Sequence, residues 1–204
     1  MSRLATLSPA ALRAMFAQHA DDTLITLVTI TGDEISNPIR LADNYTHRFE
    51  YLSDTEMTVT DLSTKEASVY TFADTDTVIK DAVVSQPEEI FYGVIATTPR
   101  LFLPFAITLP TEEPEASSVC QIKMYDVTRM LIPTIRSITE APSVLIELVL
   151  MSTPNNVEAE FPGFLLGGIT YNRDEITAQL TVESDVSEPF PAYCFTPSYF
   201  PSEF

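Results

Sequence analysis

Two runs of this chain, Thr23 to Thr31 (TLITLVTIT) and Ser143 to Met151 (SVLIELVLM), consist almost wholly of β-branched and long aliphatic residues. Branching at Cβ costs side-chain freedom in a helix and suits a pleated surface, so both runs predict strands. The chain around them reads in the same way. Gly32-Asp33 is a turn, after which Pro38 to Ala42 forms a shorter strand. Glu56–Thr60 and Ala67–Phe72 suit a hairpin or an extended arm, whereas acid-rich Ala73 to Glu89 reads as loop or weak strand. Phe91 to Ile95, Leu101 to Leu109 and Val119 to Tyr125 follow as strands, and Pro104 puts an edge or a bulge in the second. Val157–Phe161, Phe164–Tyr171 and Glu175–Ser184 close as a meander that turns at Asn172-Arg173-Asp174.

Helix signals are few. Ser8-Pro9 places a good N-cap before a proline at the first helical position, and Leu12, Met15, Phe16 and His19 continue at helical spacing. A second helix is expected after Asp126 or Thr128, with Leu131, Ile132, Ile135 and Ile138 on one face. The expected fold is therefore mainly β: an antiparallel β-sandwich with an N-terminal helix and one helix between strands, in a single domain spanning residues 1–204.

A hydrophobic content of 45% is enough for a real core. The net charge of −18 repels nucleic acid, because phosphate binding needs clustered Lys and Arg. It suits either a soluble surface or an acidic lumen that polyanions do not stick to. No run reaches the roughly 18 apolar residues of a membrane span, and the opening residues lack a long apolar region, so a cytosolic origin is expected. Cys120 and Cys194 match no metal-site spacing and read as reduced apolar residues, although a tail folded back would let them pair.

The inventory for catalysis is thin. His19 lies by the apolar face of the first helix, and His47 sits beside Arg48 in an expected loop; two histidines make no multi-histidine metal site. Asp74-Thr75-Asp76 and Asp21-Asp22 lack the central Gly and closing Glu of a calcium loop. Gly167-Gly168 is too little for a phosphate cradle and marks a bulge or a close backbone approach. Ser143 and Ser152 have no nucleophile-elbow context. No enzyme, cofactor or metal is expected.

Residues 188–204 (EPFPAYCFTPSYFPSEF) hold four Phe, two Tyr and four Pro. The prolines forbid a continuous helix and interrupt any ladder, so this aromatic tail must pack on the chain's own body or on a neighbour. Phe190, Phe195, Tyr199, Phe200 and Phe204 are the candidate subunit-interface residues. A carbohydrate-binding β-sandwich for receptor recognition is the alternative. Against it, Trp is absent and these aromatics crowd into a proline-rich tail.

Several segments, in this order, resemble a tail-tip family of long-tailed bacteriophages (siphophages), a domain of unassigned function encoded next to the tape-measure gene. They are LSPAALRAMFAQ, LITLVTI, NPIRLADN, LFLPFAITLP, QIKMYDVTRMLIPTIRSI, APSVLIELVLMSTPNNVEAEF and EPFPAYCFTPSYFPSEF. The resemblance covers roughly residues 5–45 and 90–204, and its most specific part is the closing proline–phenylalanine motif. Residues 45–92 depart from the family pattern and look like an inserted arm or hairpin. The resemblance implies a structural protein of the virion's tail tip or baseplate, assembled in the host cytoplasm. Its fold would be like that of tail-tube subunits. The partners implied are further copies of itself in a ring, six favoured over three, with the tail tube, tape-measure, and hub or central fibre proteins. DNA would pass through an acidic lumen without specific binding. No catalytic residues come with the resemblance.

Overall fold

The computed structural model describes residues 7–16, 22–108, 120–125, 131, 137–172 and 175–182. The elements in chain order are α1 (Pro9–Phe16), β1 (Leu24–Gly32), β2 (Ile35–Ala42), β3 (His47–Ser53), β4 (Glu56–Asp61) and β5 (Ala67–Thr71). Then come α2 (Thr77–Ser85), β6 (Phe91–Ile95), β7 (Pro99–Phe102), β8 (Phe105–Thr108), β9 (Cys120–Met124), β10 (Ser143–Leu150), β11 (Thr153–Tyr171) and β12 (Ile176–Val182). The chain is mainly β, as expected. All these strands join one continuous sheet in the order β5-β4-β3-β6-β7-β2-β1-β10-β11-β12-β9-β8.

The two most strand-like runs of the sequence meet at its centre. β1 and β10 pair antiparallel without interruption from Leu24↔Leu150 to Thr31↔Ser143. Paired residues share a face, so each run serves both sides of the sheet. Val28, Ile30, Val144 and Ile146 enter the main core, while Ile25, Leu27 and Val149 join Ala42 and Val94 in a second buried strip. The main core extends sideways from Met57 and Val59 in β4 to Ile122 in β9. Burial on both faces explains why the runs are apolar throughout and do not alternate with polar residues.

Among the described residues every strand pairing is antiparallel except one. β2 and β7 run parallel, and their register holds only Leu41↔Leu101 and Ala42↔Phe102. This short seam joins a five-stranded unit, β5-β4-β3-β6-β7, to the seven strands beyond it. α2 packs against β2, β3 and β7 and so straddles the seam. Its Ile79, Ala82 and Val83 are buried in the main core.

At the N-terminus, the Ser8 side chain accepts the Ala11 amide at 3.1 Å and the Ser8 carbonyl accepts Leu12 N–H at 3.0 Å, the cap and first turn that Ser8-Pro9 predicts. Leu7, just before α1, and Ala11 within it pack against Leu150.

Several expectations change. Thr77–Ser85 is helical where its composition suggests loop or weak strand. Its β-branched residues disguise an i, i+3, i+4 stripe that burial rewards. His47–Ser53 is a strand and not a loop, pairing with both β4 and β6. Leu101–Leu109 divides at Leu103-Pro104 into β7 and β8, which lie far apart in the sheet. Val157–Phe161 and Phe164–Tyr171 merge into the 19-residue β11, whose register slips between Gly167 and Thr170, the bulge that Gly167-Gly168 suggests. Gly168 has φ of +57° there. The helix expected after Asp126 or Thr128 falls largely outside the described residues.

Gly93 is fixed by close approach. A Cβ added to it would stand 2.0 Å from the Arg100 carbonyl oxygen and 2.5 Å from the Phe49 ring. Neither can retreat: the first is backbone in the β6–β7 ladder, and the second is a fully buried core ring. Gly93→Ala is therefore expected to lower unfolding free energy by about 2–3 kcal/mol, the upper range for overpacking. Chemical denaturation checks this, and Val94→Ala, which empties space without a clash, is the comparison.

Candidate interaction surface and buried polar clusters

The interface residues expected from the sequence, Phe190, Phe195, Tyr199, Phe200 and Phe204, all lie outside the described residues, as do His19 and Cys194. Cys120 is a free thiol at full burial, and that burial raises its pKa, which leaves it an inert core residue.

His47 is the one described histidine, and it has the partners an acid–base residue would want. Its Nδ1 lies 2.7 Å from Thr46 Oγ1, and its Nε2 lies 3.8 Å from Asp61 Oδ2. The array nonetheless fails as a nucleophile–base set. A gap of 3.8 Å is beyond hydrogen-bond reach. Asp61 Oδ1 is already occupied by the Ser63 amide and hydroxyl and the Thr64 amide. The Thr46 amide is bonded to the Gly93 carbonyl. What the cluster does is close the β3–β4 end. The hydrogen bonds from Ser63 and Thr64 hold the Asp61 carboxyl at about 2.

Asp76 precedes α2 and is buried. Its Oδ2 accepts from Tyr70 Oη at 2.8 Å and from the Ala73 amide at 2.9 Å, while its Oδ1 lies 3.4 Å from Arg40 Nη1. Arg40 also donates to the Thr75 carbonyl at 2.9 Å. Burial, followed by the bond to Asp76, pushes the Tyr70 hydroxyl up to about 12. The Asp74-Thr75-Asp76 run thus organises a turn, and no cluster of ligands able to hold a metal occurs among the described residues.

A second pair links β7 to β1 and β10. Arg100 Nη2 donates to Glu147 Oε2 at 2.7 Å and Nη1 donates to Thr29 Oγ1 at 2.9 Å. Arg100 Nε is buried without a partner, and burial lowers the Arg100 pKa against the opposing pull of Glu147. The two arginine pairs share a geometry. Arg100 leaves β7 for β10 and β1, and Arg40 leaves β2 for the turn before α2. Both cross the seam where the backbone ladder is only two pairs long. Nothing in the sequence pairs Arg100 with Glu147; only the fold brings them together.

The described cavity is small, about 160 Å³, and acidic, lined by Asp33, Glu34 and Glu140 beside Pro142. It falls short of the several hundred Å³ usual for ligand sites. Glu34 there is occupied in accepting the Thr139 hydroxyl and amide and the Glu140 amide, which lower its pKa.

The most distinctive exposed feature is aromatic. Tyr45 packs tilted against Tyr92 and edge-on against Phe102, each at a 4.9 Å centroid separation. Arg48 pairs in register with Tyr92 and so stands on the same face of the sheet. Its guanidinium binds Glu50 through Nη2, while its Nε is buried without a partner. Tyr45 and Tyr92 remain 37% and 36% exposed. This platform continues the buried strip of Ala42 and Val94 on that face.

No family model matches the chain, and no curated protein matches it.

The two polar clusters make separate predictions. Glu147→Ala leaves the Arg100 guanidinium buried without its counter-charge, and is expected to cost about 3–5 kcal/mol in denaturant unfolding; replacing both partners with apolar residues of similar size should cost far less. For His47, burial lowers the pKa despite the nearby Asp61 carboxylate. The folded state therefore resists protonation. Its stability is whole above the ordinary histidine value of about 6.5 and declines as pH falls below it. Denaturation midpoints measured between about pH 7 and 5 should fall less for His47→Gln than for the parent chain.

Proposed function

We propose that this chain is a structural subunit of the tail tip of a long-tailed bacteriophage. It forms a ring at the distal end of the tail tube, joining tube and tape measure to the central hub and fibre. The observation that carries this reading is the ordered series of segments ending in the proline–phenylalanine motif of residues 188–204.

Three features support it. The first is the mainly β architecture. The second is the pair of sheet edges. A closed ring is a head-to-tail assembly, so each subunit needs two different complementary faces. The outermost strands β5 (ASVYT) and β8 (FAIT) are unlike each other. Both lack the charges and prolines that usually blunt an edge against pairing. The third feature is charge. At −18, a ring of such chains repels DNA from its wall over about a Debye length, roughly 8 Å at physiological salt. DNA then passes without being held. Six copies suit the symmetry of a tube, and permanent interfaces of about 2,000 Å² or more are expected. No catalytic step is assigned to the chain.

Deleting residues 189–204 is expected to leave the β-sheet circular dichroism signal intact while abolishing assembly into rings and tails, read by electron microscopy. Assembly that survives the deletion removes the tail from the interface. Tails whose tips carry no density for this protein overturn the reading as a whole.

A further inference from the structure

We infer that residues 47–102, which hold β3 to β7 and α2, open and close as one cooperative unit while the strands beyond them stay paired, and that Arg100 with Glu147 is the latch that keeps the unit shut. The unit is a property of the single chain, so it stands whether or not the chain builds a tail tip.

The unit is one continuous stretch of chain. The ladders of β3 with β4, β4 with β5, β3 with β6 and β6 with β7 all close within it, and all are antiparallel. It carries apolar filling of its own: Phe49, Met57, Val59 and Phe91 of its strands are buried, as are Ile79 and Val83 of α2. Its length is near the roughly 55–65 residues at which small domains fold alone. The chain enters and leaves it at one place, because Leu103 N–H donates to the Ala42 carbonyl at 3.0 Å. Each crossing is pinned on both sides. Before the entry, Asp43 N–H donates to the Thr26 carbonyl at 3.1 Å and Asp43 Oδ1 accepts the Thr26 amide at 2.8 Å. After it, Thr46 N–H donates to the Gly93 carbonyl at 2.9 Å, inside the unit. Past the exit, the Pro104 carbonyl accepts the Tyr125 amide at 2.8 Å. Asn44-Tyr45 and Phe102-Leu103 are left as the hinge points.

Little backbone holds the unit closed. β2 keeps to β1 along a ladder that runs from Leu27↔Ala42 to Gly32↔Ile35, but it gives β7 only Leu41↔Leu101 and Ala42↔Phe102. Proteins open in contiguous cooperative pieces, and a boundary between two pieces falls where few ladder bonds cross. The substantial packing across this boundary is that of α2, β6 and β7 on β2. Two side-chain links reinforce it. Arg40 on β2 reaches the Thr75 carbonyl and Asp76. Arg100 on β7 passes over β2 to Thr29 of β1 and Glu147 of β10. The second link is the shorter, at 2.7 Å to its carboxylate against 3.4 Å, and it reaches farther into the rest of the sheet. Opening must part Arg100 from Glu147, and closing restores their charge-assisted bond.

Native-state hydrogen exchange on the full-length chain, followed by NMR in rising sub-denaturing guanidinium, tests this. Amides of α2, β3, β4, β6 and β7 are expected to converge on one opening reaction. That reaction is easier than the one that exposes β1 and β10, and it depends less on denaturant because it exposes less surface. Leu150→Val trims a residue of β10 whose buried cluster holds no residue of the unit. It should speed exchange in β1 and β10 by about two- to tenfold and leave the unit unchanged. Glu147→Gln also lies outside the unit, yet it should speed the unit's own exchange by at least about tenfold, since it weakens the latch. One isotherm shared by the unit with β1 and β10 overturns the proposal. So do unit amides that exchange at scattered rates without denaturant dependence, a unit that outlasts β1 and β10, or a unit that responds to Leu150→Val. Unit exchange that ignores Glu147→Gln overturns the latch. The readout uses purified chain only, so its failure is separate from absence of the protein at a tail tip.

Discussion

The pairing of β1 with β10 is the interaction on which the rest of the structure depends. It joins two runs separated by most of the chain, and its eight consecutive partners place apolar side chains on both faces at once. Everything else attaches to one side or the other of that pair. β2 and β11 extend the ladder, α1 caps one end against Leu150, and the strip of Ile25, Leu27 and Val149 occupies the face opposite the main core. A contact of such long range is slow to find, because loop closure must come before any reward. Once formed, it leaves little choice of register, since a slip of one residue would exchange the two buried faces.

What could be read from the sequence follows from how directly local chemistry sets local structure. β1 and β10 were legible because branching and apolarity act residue by residue. The cap of α1 was legible because Ser-Pro is a nearly complete instruction. α2 was not, because Thr77, Val78, Ile79, Val83 and Val84 favour strand locally and only the stripe buried against β2, β3 and β7 makes them helical. β3 was hidden by its charges: Arg48 and Glu50 alternate with buried Phe49, and the surrounding Thr and Asp made the stretch look like a loop.

The candidate surface was legible in part. The sequence marks residues 188–204 as a segment suited to packing on a surface, of this chain or of another, but does not say which. Tyr45, Tyr92 and Phe102 come from a loop and two strands, with no shared motif, and acquire a common surface only when β3, β6 and β7 align. The arginine pairs were equally invisible, since Arg100 and Glu147 are 47 positions apart and neither lies in a charged cluster. His47 drew attention as a rare residue, yet its geometry serves the end of a hairpin.

The parallel seam between β2 and β7 has a mechanical meaning. A twelve-stranded sheet loaded along its width parts where the fewest bonds resist, and here that is a ladder of two pairs. The chain can therefore yield as two blocks, each keeping its own strands in register, with α2 acting as the strap between them and the two arginines as rivets. Load across the sheet at that point falls on side chains more than on backbone bonds, on the core under α2 and on the two arginine pairs.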